Sequence, residues 1–232
     1  MNKIVAFDRE HLRQLITEHT REFGNHCDLN HIDISHIRAM YDLFYESDFN
    51  GDISEWDVSQ VTNMNSMFEG SKFNGDISKW NVSNVVGMSL MFERSTFNGD
   101  ISKWNTAHVQ NMSGMFHMSK FNGDISKWDV SNVRDMSYLF YDSPFSGDIT
   151  HWNIKSDCLV LKAFNTLNIS PLGLACEPPI SEKLLELLPS YETRKSLLKS
   201  LHIEGIQLGE MLYNSIKVLP QIQAHYDNFS SI

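Results

Sequence analysis

Five tryptophans stand 24 residues apart along this chain: Trp56, Trp80, Trp104, Trp128 and Trp152. Phe49, Phe73, Phe97, Phe121 and Phe145 keep the same step, as do Met64, Met88, Met112 and Met136, and Phe68, Phe92, Phe116 and Phe140. A fixed period of this length marks a solenoid, in which each repeat is one coil that buries its apolar face only against its neighbours. A degenerate coil precedes the first tryptophan, with Ile32 in the Trp place, Met40 in the first Met place and Phe44 in the Phe place. With stacked strands about 4.8 Å apart, six coils make a slab roughly 29 Å long.

Each coil divides in two. FNGDIS begins at Phe49, Phe73, Phe97 and Phe121, and a worn copy, FSGDIT, begins at Phe145. Its Asn-Gly pair signals a turn, because Gly tolerates φ > 0. The Asp-Ile-Ser-x-Trp that follows reads as a short strand, although Ile and Trp stand three apart and break strict alternation. The second half reads as a helix. Ser59, Ser83 and Ser131 are placed to cap it, and Val61, Met64, Met67 and Phe68 share one helical face. In the coil of Trp104, Thr106-Ala107 replaces Val-Ser and leaves the cap in doubt.

The pattern MF–x4–FNGDISKWNVSNV–x2–M, as in Met67-Phe68 through Met88, carries a family resemblance. Over residues of about 32 to 153 the chain resembles the BspA-like (Mycoplasma-type) leucine-rich repeat surface-protein family. The resemblance implies an α/β leucine-rich-repeat-like solenoid, with strands on one side and helices on the other. It implies a binding role without catalytic residues, and family members are often attached to a surface.

Three regions follow. Residues 1–25 form an N-terminal capping helix, started by Asp8, ended by Gly24, with Leu12, Leu15, Ile16, His19 and Phe23 on its buried side. Residues 26–153 are the repeat solenoid of about six coils. Residues 154–232 are a helical C-terminal cap or subdomain, reached through the breaker-rich LKAFNTLNISPLGLACEPP and helical from Ser181 onward.

A repeated residue makes a column on a solenoid. The Trp column reads as core, the usual place of large aromatics, with a stacked platform for a sugar or peptide as the alternative. Asp52, Asp76, Asp100, Asp124 and Asp148 form an acidic column whose neighbours would repel by roughly 1–3 kcal/mol per pair. Backbone N–H groups of the Asn-Gly turn are the expected compensation, as in an Asx-turn, helped by Lys79, Lys103 and Lys127. One carboxylate per coil does not make a calcium site. Asn50, Asn74, Asn98 and Asn122 read as a hydrogen-bonded ladder.

Departures from the repeat are where function can reside. The formal charge is −10, and residues 26–153, with eight basic and seventeen acidic groups, hold nearly all of it. Between Asp28 and Asp57 there are eight acids and one base, Arg38, and Glu55 stands where later coils carry Lys79, Lys103 and Lys127. A solvated face explains most such runs. The sharper reading is a docking surface for a basic protein, made of Asp42, Glu46, Asp48, Glu55, Asp57, Glu69 and Glu93. The loop before each FNGDIS also changes its outer residues while one Ser stays, as in Tyr45-Glu-Ser-Asp and Glu93-Arg-Ser-Thr.

The acidic balance argues against nucleic acid and anionic membrane as partners. No stretch reads as a signal peptide or a membrane span, and Cys27, Cys158 and Cys176 are too scattered for a disulfide framework. The expectation is a cytoplasmic protein, with export by a route without a cleaved signal as the alternative. Cys27, His26, His31 and His36 fit no standard metal spacing, Cys176 lacks an acid–base partner, and no cofactor motif is present. The expected function is non-enzymatic protein binding, as an immunity or antitoxin-type protein that blocks a basic partner through an acidic face. A secreted effector or adhesin acting on a host protein is the alternative, and an enzyme carried by the C-terminal region is a third.

Overall fold

The computed structural model describes residues 3–149, 151–155, 158–160 and 162–163. The C-terminal helices expected from Ser181 onward, and Cys176, lie outside the described residues. The chain opens with β1 (Ile4–Val5), continues into α1 (Arg9–Phe23) and reaches β2 (Ile32–Asp33). β1 and β2 pair in parallel, Ile4 beside Ile32 and Val5 beside Asp33.

α1 starts and stops where its sequence dictates. The Asp8 carboxylate accepts from the backbone N–H of His11, satisfying one of the donors a helix start leaves unpaired, and Gly24 ends the helix at φ 83°. Leu12, Leu15 and Ile16 are buried in the common core. Phe23, expected on that buried side, is 64% exposed. Burial fades after Ile16, so the last turn of α1 overhangs the layer that covers the first turns.

Among the described residues from 28 onward the chain is built of layers 24 residues apart. Parallel bridges join Ala39 to Asn63, Asn63 to Gly87, Gly87 to Asn111, Asn111 to Asp135 and Asp135 to Leu159. The N–H groups of Met64, Met88 and Met112 donate to the carbonyls of Gly87, Asn111 and Asp135 in the following layer. Those of Val86, Gln110 and Arg134 donate to Thr62, Val86 and Gln110 in the preceding one. Backbone polarity is thus satisfied largely between layers, with tight turns such as Val61 N–H to Val58 and Met67 N–H to Met64 closing within them.

That wiring displaces the expected helices. Val61, Met64, Met67 and Phe68 are all buried, as a helical face requires, yet among the described residues α1 is the helix and the second half of each layer is a series of turns. The N–H of Phe68 donates to Met91 of the next layer, and Ser66 and Gly70 sit at φ 54° and 65°, outside helical backbone. Ser59, Ser83 and Ser131 do not cap helices; their N–H groups donate to the side chains of Asp57, Asn81 and Asp129. Nor is Asp-Ile-Ser-x-Trp a strand. The Trp56 N–H donates to the Ile53 carbonyl, and this tight turn brings both side chains to the inside. The broken alternation follows from it.

The core is a set of stacked aromatics. Phe44 and Phe68 lie 5.4 Å apart with their planes at 2°, and Phe68 and Phe92 lie 5.5 Å apart at 3°. The second Phe column repeats this, from Phe73 to Phe97 at 6.3 Å and Phe97 to Phe121 at 6.4 Å. Gly75, Gly99 and Gly123 are needed for close approach rather than for positive φ, because a Cβ there would meet the ring of the Phe two residues earlier at 2.8–2.9 Å. Ile32, Met40 and Phe44 fill the first, degenerate layer as the spacing requires.

Candidate functional site

The invariant columns are inward-facing or locally satisfied. Trp56, Trp80, Trp104, Trp128 and Trp152 are 3–8% exposed, so they offer no platform to a ligand. Each indole N–H donates to a carbonyl of the preceding layer, that of Leu29, Ile53, Ile77, Ile101 or Ile125, at 3.0–3.2 Å. The Ser that never changes in the variable loop is explained too: the Oγ of Ser71, Ser95 and Ser119 accepts from the N–H of Phe73, Phe97 and Phe121. The Asn ladder is present, with Asn50, Asn74 and Asn98 accepting from the N–H of Asn74, Asn98 and Asn122 at 2.7–2.8 Å.

Asp52, Asp76, Asp100 and Asp124 each accept at 2.9 Å from the N–H of the Ser two residues on, at Ser54, Ser78, Ser102 and Ser126. The partner is that Ser rather than the Asn-Gly turn. The bond holds all four carboxyls below their ordinary range, and Lys79, Lys103 and Lys127 add a smaller push in the same direction. The opposing push of a neighbouring Asp is the weakest influence at Asp76 and Asp124. Asp148 holds the same place in the last copy of the motif.

The seven acids expected to dock a partner do not form one free surface. Asp48 is paired with Lys72 at 2.7 Å, and Asp42 lies 3.9 Å from Arg9. Asp57 accepts from the N–H of Ser59. Glu69 holds Arg94 at 2.8 Å, and the same guanidinium reaches Glu46 at 3.9 Å and Glu93 at 4.0 Å. Glu93 also meets His117 Nδ1 at 3.0 Å. Glu55 makes no ion pair among the described residues; it lines a shallow cleft of about 290 Å³ with Trp56, Asp57, Lys79 and Asn81. An exposed pair such as Asp48 with Lys72 contributes at most about 1 kcal/mol, while Glu69 and Glu93 are largely buried; all of these pairs lower the net field a partner would feel.

A different feature stands out along one corner of the stack. Asp42, Ser66, Leu90, Tyr138 and Lys162 sit at φ of 51–60°, and Glu46, Arg94, Met118 and Asp142 at 49–54°. These nine fall on two columns of step 24, completed by Gly70 and Gly114, and none of the nine is buried. An L residue in this conformation costs roughly 1–2 kcal/mol, which Gly avoids. Here the costly positions carry side chains of every chemistry. Met118 among them is 50% exposed, and Tyr45 beside them 43%. Tyr138 and Tyr141 meet edge to face at 5.7 Å, each within about 6 Å of the His117 ring, and Lys162 lies over Tyr141. The sequence marks part of this stripe as the variable loop of each repeat. It also contains the unmarked signal, a 24-step column that obeys no rule: Asp42, Ser66, Leu90, Gly114, Tyr138, Lys162.

Metal-ligating groups are sparse. His26 turns its Nδ1 to the Asn50 carbonyl and His31 its Nε2 to His19, so the cluster near Cys27 is dispersed. Among the described residues no three His, Cys, Asp or Glu side chains converge on one point, and no helix is long and apolar enough to cross a membrane.

A family model described as Mycoplasma protein of unknown function, DUF285, matches residues 11–117 and 93–169, more than half of the chain. The protein belongs to that family. No curated protein and no solved structure matches it.

Proposed function

We propose that the protein is a non-enzymatic binding solenoid of the BspA-like type, whose stacked layers present the two corner columns to a protein partner. The observation that carries this reading is the placement of side chains of every chemistry, none of them buried, on left-handed backbone, while the buried columns stay apolar or nearly so, with Trp and Phe repeated at fixed step. Strain kept at exposed positions points to a use for those side chains. The partner surface is basic: on the two columns Asp42, Glu46 and Asp142 outnumber Arg94 and Lys162, and Glu93 and the buried Glu69 stand beside them. Glu46, Glu69 and Glu93, from three successive layers, converge on one guanidinium, an arrangement that an arginine of the partner can share or exchange with Arg94. An immunity-type role, in which the protein masks a basic toxin inside the cell, agrees with this charge.

The test is site-specific photocrosslinking in the source cells, with the reactive side chain placed at Met118 on the stripe or at Lys103 away from it. A single basic protein joined from Met118 and not from Lys103 supports the reading. Equal joining from both positions, or from Lys103 alone, overturns it.

A further inference from the structure

We propose that His19 and His31 form a two-imidazole site for a tetragonal divalent ion, Cu2+ or Ni2+, which ties α1 to the first layer. The two Nε2 atoms lie 2.9 Å apart and share the one proton carried by His31 Nε2; on metal binding that proton moves to His31 Nδ1 or to solvent and frees the second lone pair. His19 Nδ1 lies 2.8 Å from the Leu15 carbonyl one helical turn earlier, so that nitrogen carries the proton and Nε2 keeps its lone pair. A ring N–H held by a backbone carbonyl is the arrangement that orients a metal-binding histidine. The ring centroids are 4.6 Å apart with the planes at 46°. Two imidazoles in neighbouring positions of a square-planar ion, each at about 2.0 Å, place their nitrogens about 2.8 Å and their centroids about 4.5 Å apart. A straight N–H···N bond along both ring axes would hold the centroids beyond about 5 Å. The rings are therefore bent toward the geometry of a chelate.

The backbone presets both sides. His19 is fixed by α1, and His31 by the bond from the Ile4 N–H to its carbonyl, next to β2. Both rings are half-buried. No third ligating side chain joins them among the described residues, so water completes the coordination. The 2.9 Å spacing of the nitrogens is nearer to the ~2.8 Å of a square-planar pair than to the ~3.3 Å of a tetrahedral one, which favours a tetragonal ion over zinc. An ion held here binds only the docked helix and stabilises it by mass action.

The experiment uses the full chain and Cu2+ alone, read by electron paramagnetic resonance, by titration and by thermal unfolding. The proposal expects one Cu2+ with coupling to two imidazole nitrogens and a Tm that rises with Cu2+. His19→Gln and His31→Gln each weaken binding at least about tenfold, the lower bound for losing even an outer partner of a metal. His31→Gln keeps a donor for His19, and His26→Gln serves as the control that binds like the unaltered chain. Should both variants misfold, nuclear magnetic resonance of the unaltered chain decides, with Cu2+ broadening the His19 and His31 ring signals before those of the other histidines. Unchanged affinity in both variants, first broadening elsewhere among the ten histidines, or no Cu2+ binding would overturn the proposal.

Discussion

The indole N–H of Trp104 donates to the carbonyl oxygen of Ile77, 3.1 Å away in the preceding layer, and the same oxygen accepts the N–H of Trp80 within its own layer. One carbonyl thereby closes a turn and fastens the next layer upon it. Trp104→Phe removes the fastening and part of the ring volume, and is expected to cost about 1–3 kcal/mol. Trp104→Ala also empties the core and is expected to cost about 3–5 kcal/mol. Urea unfolding of the two variants beside the unaltered chain checks both values.

Gly99→Ala tests the close approach to Phe97. In an ordinary loop with compatible backbone this change stabilises by about 0.4–1 kcal/mol. Here the new Cβ would stand 2.9 Å from the Phe97 ring, so a loss of about 1–3 kcal/mol is expected. A rise in Tm would show that the ring does not lie beneath the glycine.

Acid should loosen the stack through its Asp columns. The carboxyls of Asp52, Asp76, Asp100 and Asp124 are lowered chiefly by the backbone N–H of the following Ser. Their stabilising effect is fully present above the unfolded value of about 3.9 and is lost as pH falls through the folded value. Asn accepts the same kind of bond without titrating, as Asn81 and Asn105 do from Ser83 and Ala107. Changing all four Asp to Asn should therefore flatten the decline of Tm between pH ~5 and ~2. An unaltered decline would place the acid sensitivity elsewhere.

The ion pairs of the stripe act between layers and are expected to be weak. Lys72→Ala, which frees Asp48, should change stability by less than about 1 kcal/mol and lose even that effect in high salt. Thermal unfolding at low and high ionic strength measures it.

The sequence made the inward columns legible because burial repeats with them. Trp, Ile and Phe at fixed step, and Asp or Asn two residues before Ser, each carry a local physical reason. The second half of each repeat misleads because Val61, Met64 and Phe68 are spaced as on a helix, while the N–H groups of Met64 and Phe68 donate to the next layer and that of Val61 closes a tight turn on Val58. Poor helix formers in that stretch, Asn63, Asn65 and Ser66, were the available warning. The acidic surface misleads because its partners are distant in sequence yet adjacent in space. Stacking sets residue i beside residue i+24, and Asp48 with Lys72 or Glu93 with His117 follow from that step. Left-handed backbone leaves no such trace when Leu90, Met118 and Tyr138 occupy it in place of Gly.

If recognition resides in the strained corner and the fold in the buried columns, the two separate by mutation. Leu90→Gly, Met118→Gly and Tyr138→Gly made together remove three corner side chains and keep a residue that accepts positive φ without strain. The decisive measurement is capture of the partner by this triple variant and by the unaltered protein, with Tm read on the same samples. The expected result is that Tm holds or rises while capture is lost. Undiminished capture by the folded variant would contradict it.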